Sequence, residues 1–112
     1  MKTGSEGLLR VPQKVFQRDR FLIMKILAKQ GEVDFSGLRD TLGLTDGNLA
    51  SHLRALEAMK YVEYRKGFEG RRTRTVYSLT PAGLTNFQTL VHYLNESLST
   101  VAIPTKALTG SR

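Results

Sequence analysis

The amino-acid sequence predicts a small α+β domain, mainly α, in which a helix-turn-helix unit leads into a two-stranded β-hairpin and a long C-terminal helix. Three observations point there. Apolar residues recur at helical spacing in segments that end at Gly31, Gly43 and Met59. The period then drops to two between Val62 and Leu79, and Thr80-Pro81 restarts a helical pattern that runs to about Leu98. With 112 residues the chain can close one core and is too short for two conventional domains. The expected division is a flexible arm over 1–14, a folded domain over 15–98 whose last helix spans 80–98, and a flexible tail over 99–112.

The opening residues mix Gly, Ser, Pro and charge without periodicity. Asp19 is the expected N-cap of the first helix. Leu22, Ile23, Ile26 and Leu27 form its apolar stripe, opposed by Arg18, Arg20, Lys25 and Lys29, and Gly31 ends it. Glu32-Val33-Asp34 reads as a short extended link, with Asp34 placed to cap a second helix carrying Phe35, Leu38 and Leu42. Gly43 breaks that helix, Leu44 packs into the turn, and Thr45 caps a third helix with Leu49, Leu53 and Leu56 on one side.

Beyond Met59, Val62, Tyr64 and Lys66 alternate with Glu63 and Arg65 as a first strand. The stretch 67–72 reads as a turn flanked by glycines. Thr73, Thr75, Tyr77 and Leu79 then share one face of a second strand, with Arg74, Val76 and Ser78 on the other. β-Branched and aromatic content supports both strands. Thr80 followed by proline at the first helical position marks the start of the last helix.

Charge narrows the class of partner. Seventeen Lys and Arg against ten Asp and Glu give a formal charge of +7, which favours a polyanion, nucleic acid before a membrane surface. The distribution is uneven. Lys60, Arg65, Lys66, Arg71, Arg72 and Arg74 crowd the hairpin against only Glu63 and Glu69, whereas Glu96 is the sole charged residue between Leu79 and Leu98. The chain has no cysteine, so disulfides, zinc fingers and thiolate metal sensing are excluded. No phosphate-binding loop or metal-ligand cluster is evident, the segment 67–70 is too short for a nucleotide fingerprint, and His52 has no acid partner visible in sequence. An enzyme is therefore not expected, and neither is a cofactor. No apolar run reaches the roughly 20 residues that cross a bilayer, and the start lacks a signal peptide, so the expected location is the cytoplasm.

A helix offered to a major groove about 12 Å wide must be apolar behind and small or polar in front. In the third helix Asn48, Ser51, His52 and Ala55 lie outward, as base-reading candidates. Asn can pair with adenine, Ser or His can bond base edges, and Ala can touch a thymine methyl. Thr45 with the first-turn N–H groups, Arg54 and Lys60 are phosphate candidates. So are Arg65, Lys66, Arg71, Arg72 and Arg74 of the hairpin, whose arginines can meet phosphates or enter a narrow minor groove. Phe68 at the tip is expected to pack down on the hairpin rather than wedge between bases.

The runs from Leu42 to Leu49 (LGLTDGNL), Leu53-Arg54-Ala55-Leu56-Glu57 and Tyr61-Val62-Glu63 resemble the helix-turn-helix of small winged-helix transcription regulators. The run from Phe68 to Gly83 resembles their wing and the entry to their last helix. The likeness covers about Arg18 to Leu98 and is nearest to the MarR and ArsR groups. It implies a homodimer that binds double-stranded DNA as a transcription regulator, with the third helix in the major groove and the wing alongside. Metal sensing of the ArsR kind is not carried over, because only His52 and His92 are present and there is no cysteine.

In the last helix Leu84, Phe87, Val91, Leu94 and Leu98 follow the 3-4 spacing of a coiled-coil seam, and Leu90 and Tyr93 widen it. Part of this stripe must cover the domain's own core. The rest, Leu90 included among the candidates, is expected to form a homodimer interface. A cleft near the first and last helices could hold a small apolar effector, though no residue requires one. The alternative is a winged helix used as a protein-interaction module within a larger assembly.

Overall fold

In the computed structural model residues 17–99 are described; the expected arm over 1–14 and the tail beyond Ser99 lie outside them. Helix α1 spans Arg18–Gln30, strand β1 Glu32–Asp34, α2 Phe35–Leu42, α3 Asp46–Ala58, β2 Val62–Glu69, β3 Arg72–Leu79 and α4 Pro81–Ser99. The helix-turn-helix unit, hairpin and long final helix of the sequence reading are all present.

The helix ends follow from side chains that satisfy the orphan amides of a first turn. Asp34 Oδ1 accepts from Gly37 N at 2.8 Å, Thr45 Oγ1 from Asn48 N at 3.1 Å, and Thr80 Oγ1 from Gly83 N at 2.9 Å. The α1 start differs from expectation. Its N-cap is Gln17, which makes no side-chain cap bond, and Asp19 sits inside the first turn, where a carboxylate favours the helix dipole. Between α2 and α3, Gly43 closes the turn at φ 67°, a left-handed conformation that costs glycine little.

The sheet has three strands rather than two. β1 pairs antiparallel with β3, with Val33 opposite Tyr77, so the order is β1-β3-β2. Three residues are too few to show an alternating pattern, and only the neighbouring β3 makes them a strand. The wing strands are also longer than read. Glu69 pairs with Arg72, leaving a two-residue turn at Gly70-Arg71, with Gly70 at φ 65° in the first central position, as in type II′ turns.

One core holds these elements together. Ile23, Met24 and Leu27 of α1 meet Leu38 of α2, Leu49, Leu53 and Leu56 of α3, Val62 and Tyr77 of the sheet, and Leu90 of α4. Each fully buried aliphatic side chain contributes about 1.5–3 kcal/mol. Burial raises the Tyr77 phenol above its ordinary range, with Glu57 and Tyr64 adding to the shift. Helix α4 lies tight on the chain entering β2: a Cβ on Gly83 would collide with the Tyr61 carbonyl, and the backbone N–H of Thr80 donates to Tyr61 O at 3.1 Å. The architecture therefore fixes α3 and the wing on one frame, each by its own apolar side.

Candidate nucleic-acid interface

Helix α3 divides cleanly along its length. Leu49, Leu53 and Leu56 are buried, while Asn48, Ser51 and Arg54 are exposed and Ala55 is half-buried. Asn48 and Ser51 stand near the helix start, beside the first-turn amides that the Thr45 hydroxyl leaves open. Asp46 would place a negative charge here, but Arg39 of α2 binds it at 3.0 Å while also holding Asp40 at 3.0 Å. Both carboxylates hold the Arg39 guanidinium above its ordinary range, Asp40 first. No local sequence pattern marks this brace, because Arg39 and Asp46 lie on different helices.

His52 stands apart from the other base-reading candidates. Its side chain is largely covered and turned to α1, where Nδ1 accepts from Arg20 Nε at 3.1 Å and Nε2 lies 3.6 Å from Asp19 Oδ2. The imidazole thus ties α3 to α1. Its partners lie more than thirty positions upstream, so no local pattern could have revealed them.

The wing's basic residues fall into two sets. Near the root, Arg65 makes a two-pronged bond to Glu32 of β1 at 3.2 and 2.9 Å. That hydrogen bond, and then the charge itself, holds the Glu32 carboxyl below its ordinary range and the Arg65 guanidinium above its own. Arg74 reaches Asp34 at 3.2 Å and Glu69 at 3.8 Å. Both arginines are phosphate candidates that the structure places on acids. Lys66, Arg71 and Arg72 are exposed and take part in none of the ion pairs among the described residues. Phe68, expected to pack down, is 78% exposed. Lys60 is exposed at the foot of the hairpin, with a left-handed backbone at φ 66° and its carbonyl bound by the Thr80 hydroxyl at 2.6 Å.

Helix α4 carries the apolar seam. Leu84, Leu94 and Leu98 are 41%, 39% and 57% exposed. Val91 is half-buried, and Phe87 stacks at a tilt on Phe21 with ring centroids 5.4 Å apart. Leu90 departs from the seam: it is 1% exposed and fills the core of its own domain. Two clefts lie between the first and last helices. One of about 260 Å³ is lined by Arg18, Phe21, Leu22, Leu90 and Leu94. The other, of about 380 Å³, lies between the end of α1 and Leu79-Thr80-Pro81. Among the described residues no group of three His, Cys, Asp or Glu side chains could hold a metal ion, and no helix is long and apolar enough to cross a membrane.

Residues 20–98 match the family of the winged helix DNA-binding domain. An uncharacterised protein of Methanocaldococcus jannaschii is 33% identical over 73 residues, 65% of this chain and 79% of the relative. The structure of a transcriptional regulator homologue from Pyrococcus horikoshii superposes with a TM-score of 0.76 at 28% identity, over 88% of this chain and 99% of that one. A transcriptional regulator of the MarR family from Enterococcus faecalis shares the fold, with a TM-score of 0.73 at 21% identity over 88% of this chain and 89% of that one.

Proposed function

From a chain that belongs to the winged helix DNA-binding domain family of transcription regulators, we propose a homodimer that binds specific double-stranded DNA with α3 in the major groove and the wing tip on adjacent phosphates. One observation carries this reading. Asn48 and Ser51 stand exposed at the start of α3, and Lys66, Arg71 and Arg72 of the wing are exposed and pair with no acid among the described residues. Asn48 and Ser51 read base edges and Ala55 offers a methyl contact, while Thr45, Arg54, Lys60, Lys66, Arg71 and Arg72 meet the backbone. His52 acts behind them as a positioning residue, through Asp19 and Arg20. Arg65 and Arg74 hold the wing to β1.

The dimer rests on the exposed apolar face of α4. Leu84, Leu94 and Leu98, with the half-buried Val91 and Phe87, present the seam that a second copy covers. The 260 Å³ cleft beside Leu94 has apolar walls and Arg18 at its edge, a setting that suits a small apolar effector at such an interface.

Selection of bound sequences from random duplex DNA tests the whole reading. A palindrome with half-sites about 10–10.5 base pairs apart is expected of a two-fold dimer. Binding should weaken steeply with salt, with a log–log slope of roughly −0.9 for each phosphate contacted. No retention on any duplex near 50 mM salt would sink the reading and leave a protein-interaction module in its place.

A further inference from the structure

Phe68 adds little to the packing of the domain. Its ring is 78% exposed, and the aromatic pairs among the described residues, Phe21–Phe87, Phe35–Tyr77 and Tyr64–Tyr77, do not include it. A phenyl group left in water forgoes the free energy that burial would return. It sits across the hairpin from Thr73, one residue pair from the Gly70-Arg71 turn. It lies six positions beyond buried Val62, so it stands about 20 Å out along the strand. Alternation puts Lys66 on the same face.

The surroundings specify what could cover such a ring. Lys66, Arg71 and Arg72 have no acid partner among the described residues, and the one carboxylate at the tip, Glu69, is already met by Arg74 at 3.8 Å. An apolar group with an unpaired cation on its own face, Lys66, and two more at and beside the turn, Arg71 and Arg72, suits a surface with phosphates on both sides and an apolar slot between them. A minor groove about 6 Å wide is such a surface. A two-stranded ribbon, with backbones about 4.8 Å apart before side chains are added, is too wide to enter it bodily. A single ring is not.

We infer that Phe68 is an apolar wedge: with Lys66, Arg71 and Arg72 on the flanking phosphates, its ring enters the minor groove and parts a base step beneath the wing. The inference rests on the domain being a duplex-DNA binder. Its consequence is a second source of specificity, separate from α3. Pyrimidine–purine steps unstack most readily, so the wing selects TA or CA/TG steps by deformability at positions where no side chain reads a base edge.

The test uses the full chain and duplexes recovered by selection, with 2-aminopurine substituted in turn at each adenine. Binding of the native chain should raise the probe's fluorescence at one step flanking the α3 site, as that base leaves the stack. Phe68→Ala should lower affinity by about tenfold or more, the scale of one lost aromatic–base contact, and abolish the rise. Phe68→Leu should retain most of both. Since the ring is largely exposed, Phe68→Ala should melt close to the native temperature and sediment like the native chain. Equal affinity in Phe68→Ala overturns the wedge, as does an affinity loss with no fluorescence rise at any step in the native complex. A change in sedimentation would make Phe68 a protein contact instead. If the native chain retains no duplex at all, the DNA-binding reading itself fails, an outcome distinct from each of these.

Discussion

The root and the tip of the hairpin are built from the same kinds of residue and use them in opposite ways. At the root, Arg65 and Arg74 are held by Glu32, Asp34 and Glu69, and their work is internal: they fasten the wing to β1. Arg65 reaches across the central strand to do so, above its register partner Val76, which is buried. Toward the tip, Arg71 and Arg72 beside the turn, with Lys66 on the strand below them, pair with no acid among the described residues, and Phe68 is largely exposed. A stiff stalk is what allows a loose end to be aimed. Net charge alone treats all of these cations as equal, yet only the unpaired ones can release counterions from a phosphate backbone without first breaking a bond.

The division predicts its largest effect at the tip. Arg71→Ala with Arg72→Ala should weaken binding to every duplex alike. The expected loss is about 1.5–3 kcal/mol for each charge-assisted contact, and the salt slope should flatten by roughly 0.9 per phosphate. Arg65→Ala should leave that slope unchanged, as read by fluorescence anisotropy over a salt series. Equal flattening in both variants would break the comparison. Asp34→Ala comes next, because Asp34 both caps α2 and anchors Arg74. Urea unfolding should register a loss of about 1 kcal/mol for the cap. The freed Arg74 should at the same time steepen the salt slope, turning a root residue into a tip residue.

This division was only half legible in the sequence. The concentration of basic residues between Lys60 and Arg74 is a local fact, and so are the caps at Asp34, Thr45 and Thr80. Each depends on neighbours within a few positions, and the structure has them as read. Which arginines are neutralised depends on β1 lying beside β3, a contact between residues more than forty positions apart. The same distance hid the role of His52. Positions 48, 51, 52 and 55 share one outward arc of an ideal helix, but position 52 is at its edge, within reach of Asp19 and Arg20 on α1. In α4 the heptad spacing includes Leu84, Leu94 and Leu98, which the fold leaves exposed. It could not tell that Leu90, one position from Val91, turns the other way into the core.

Smaller effects sharpen the boundary between root and tip. Lys60, at the foot of the stalk, holds a left-handed backbone that L-residues adopt at a cost. Lys60→Gly should therefore raise stability by about 0.5–1 kcal/mol in urea unfolding, while lowering duplex affinity if its charge meets a phosphate. The smallest effect concerns Glu32. Its carboxyl is held below the ordinary range by the hydrogen bond from Arg65 and then by the charge of Arg65. A group depressed in the folded state stabilises it at every pH above its unfolded value, about 4.3 for glutamate, and loses that contribution as pH falls through the folded value. The stability difference between the native chain and Glu32→Gln should thus stay constant from about pH 7 to 5 and shrink below about 4.5. Both partners lie in open solvent, so the difference is modest and fades with salt. The Arg71→Ala, Arg72→Ala variant should instead run parallel to the native chain through the same acid range, since no carboxylate is paired with the tip arginines. Unfolding midpoints from pH 3 to 7 separate the two cases: a Glu32→Gln curve parallel to the native one would mean that the root is no more locked than the tip.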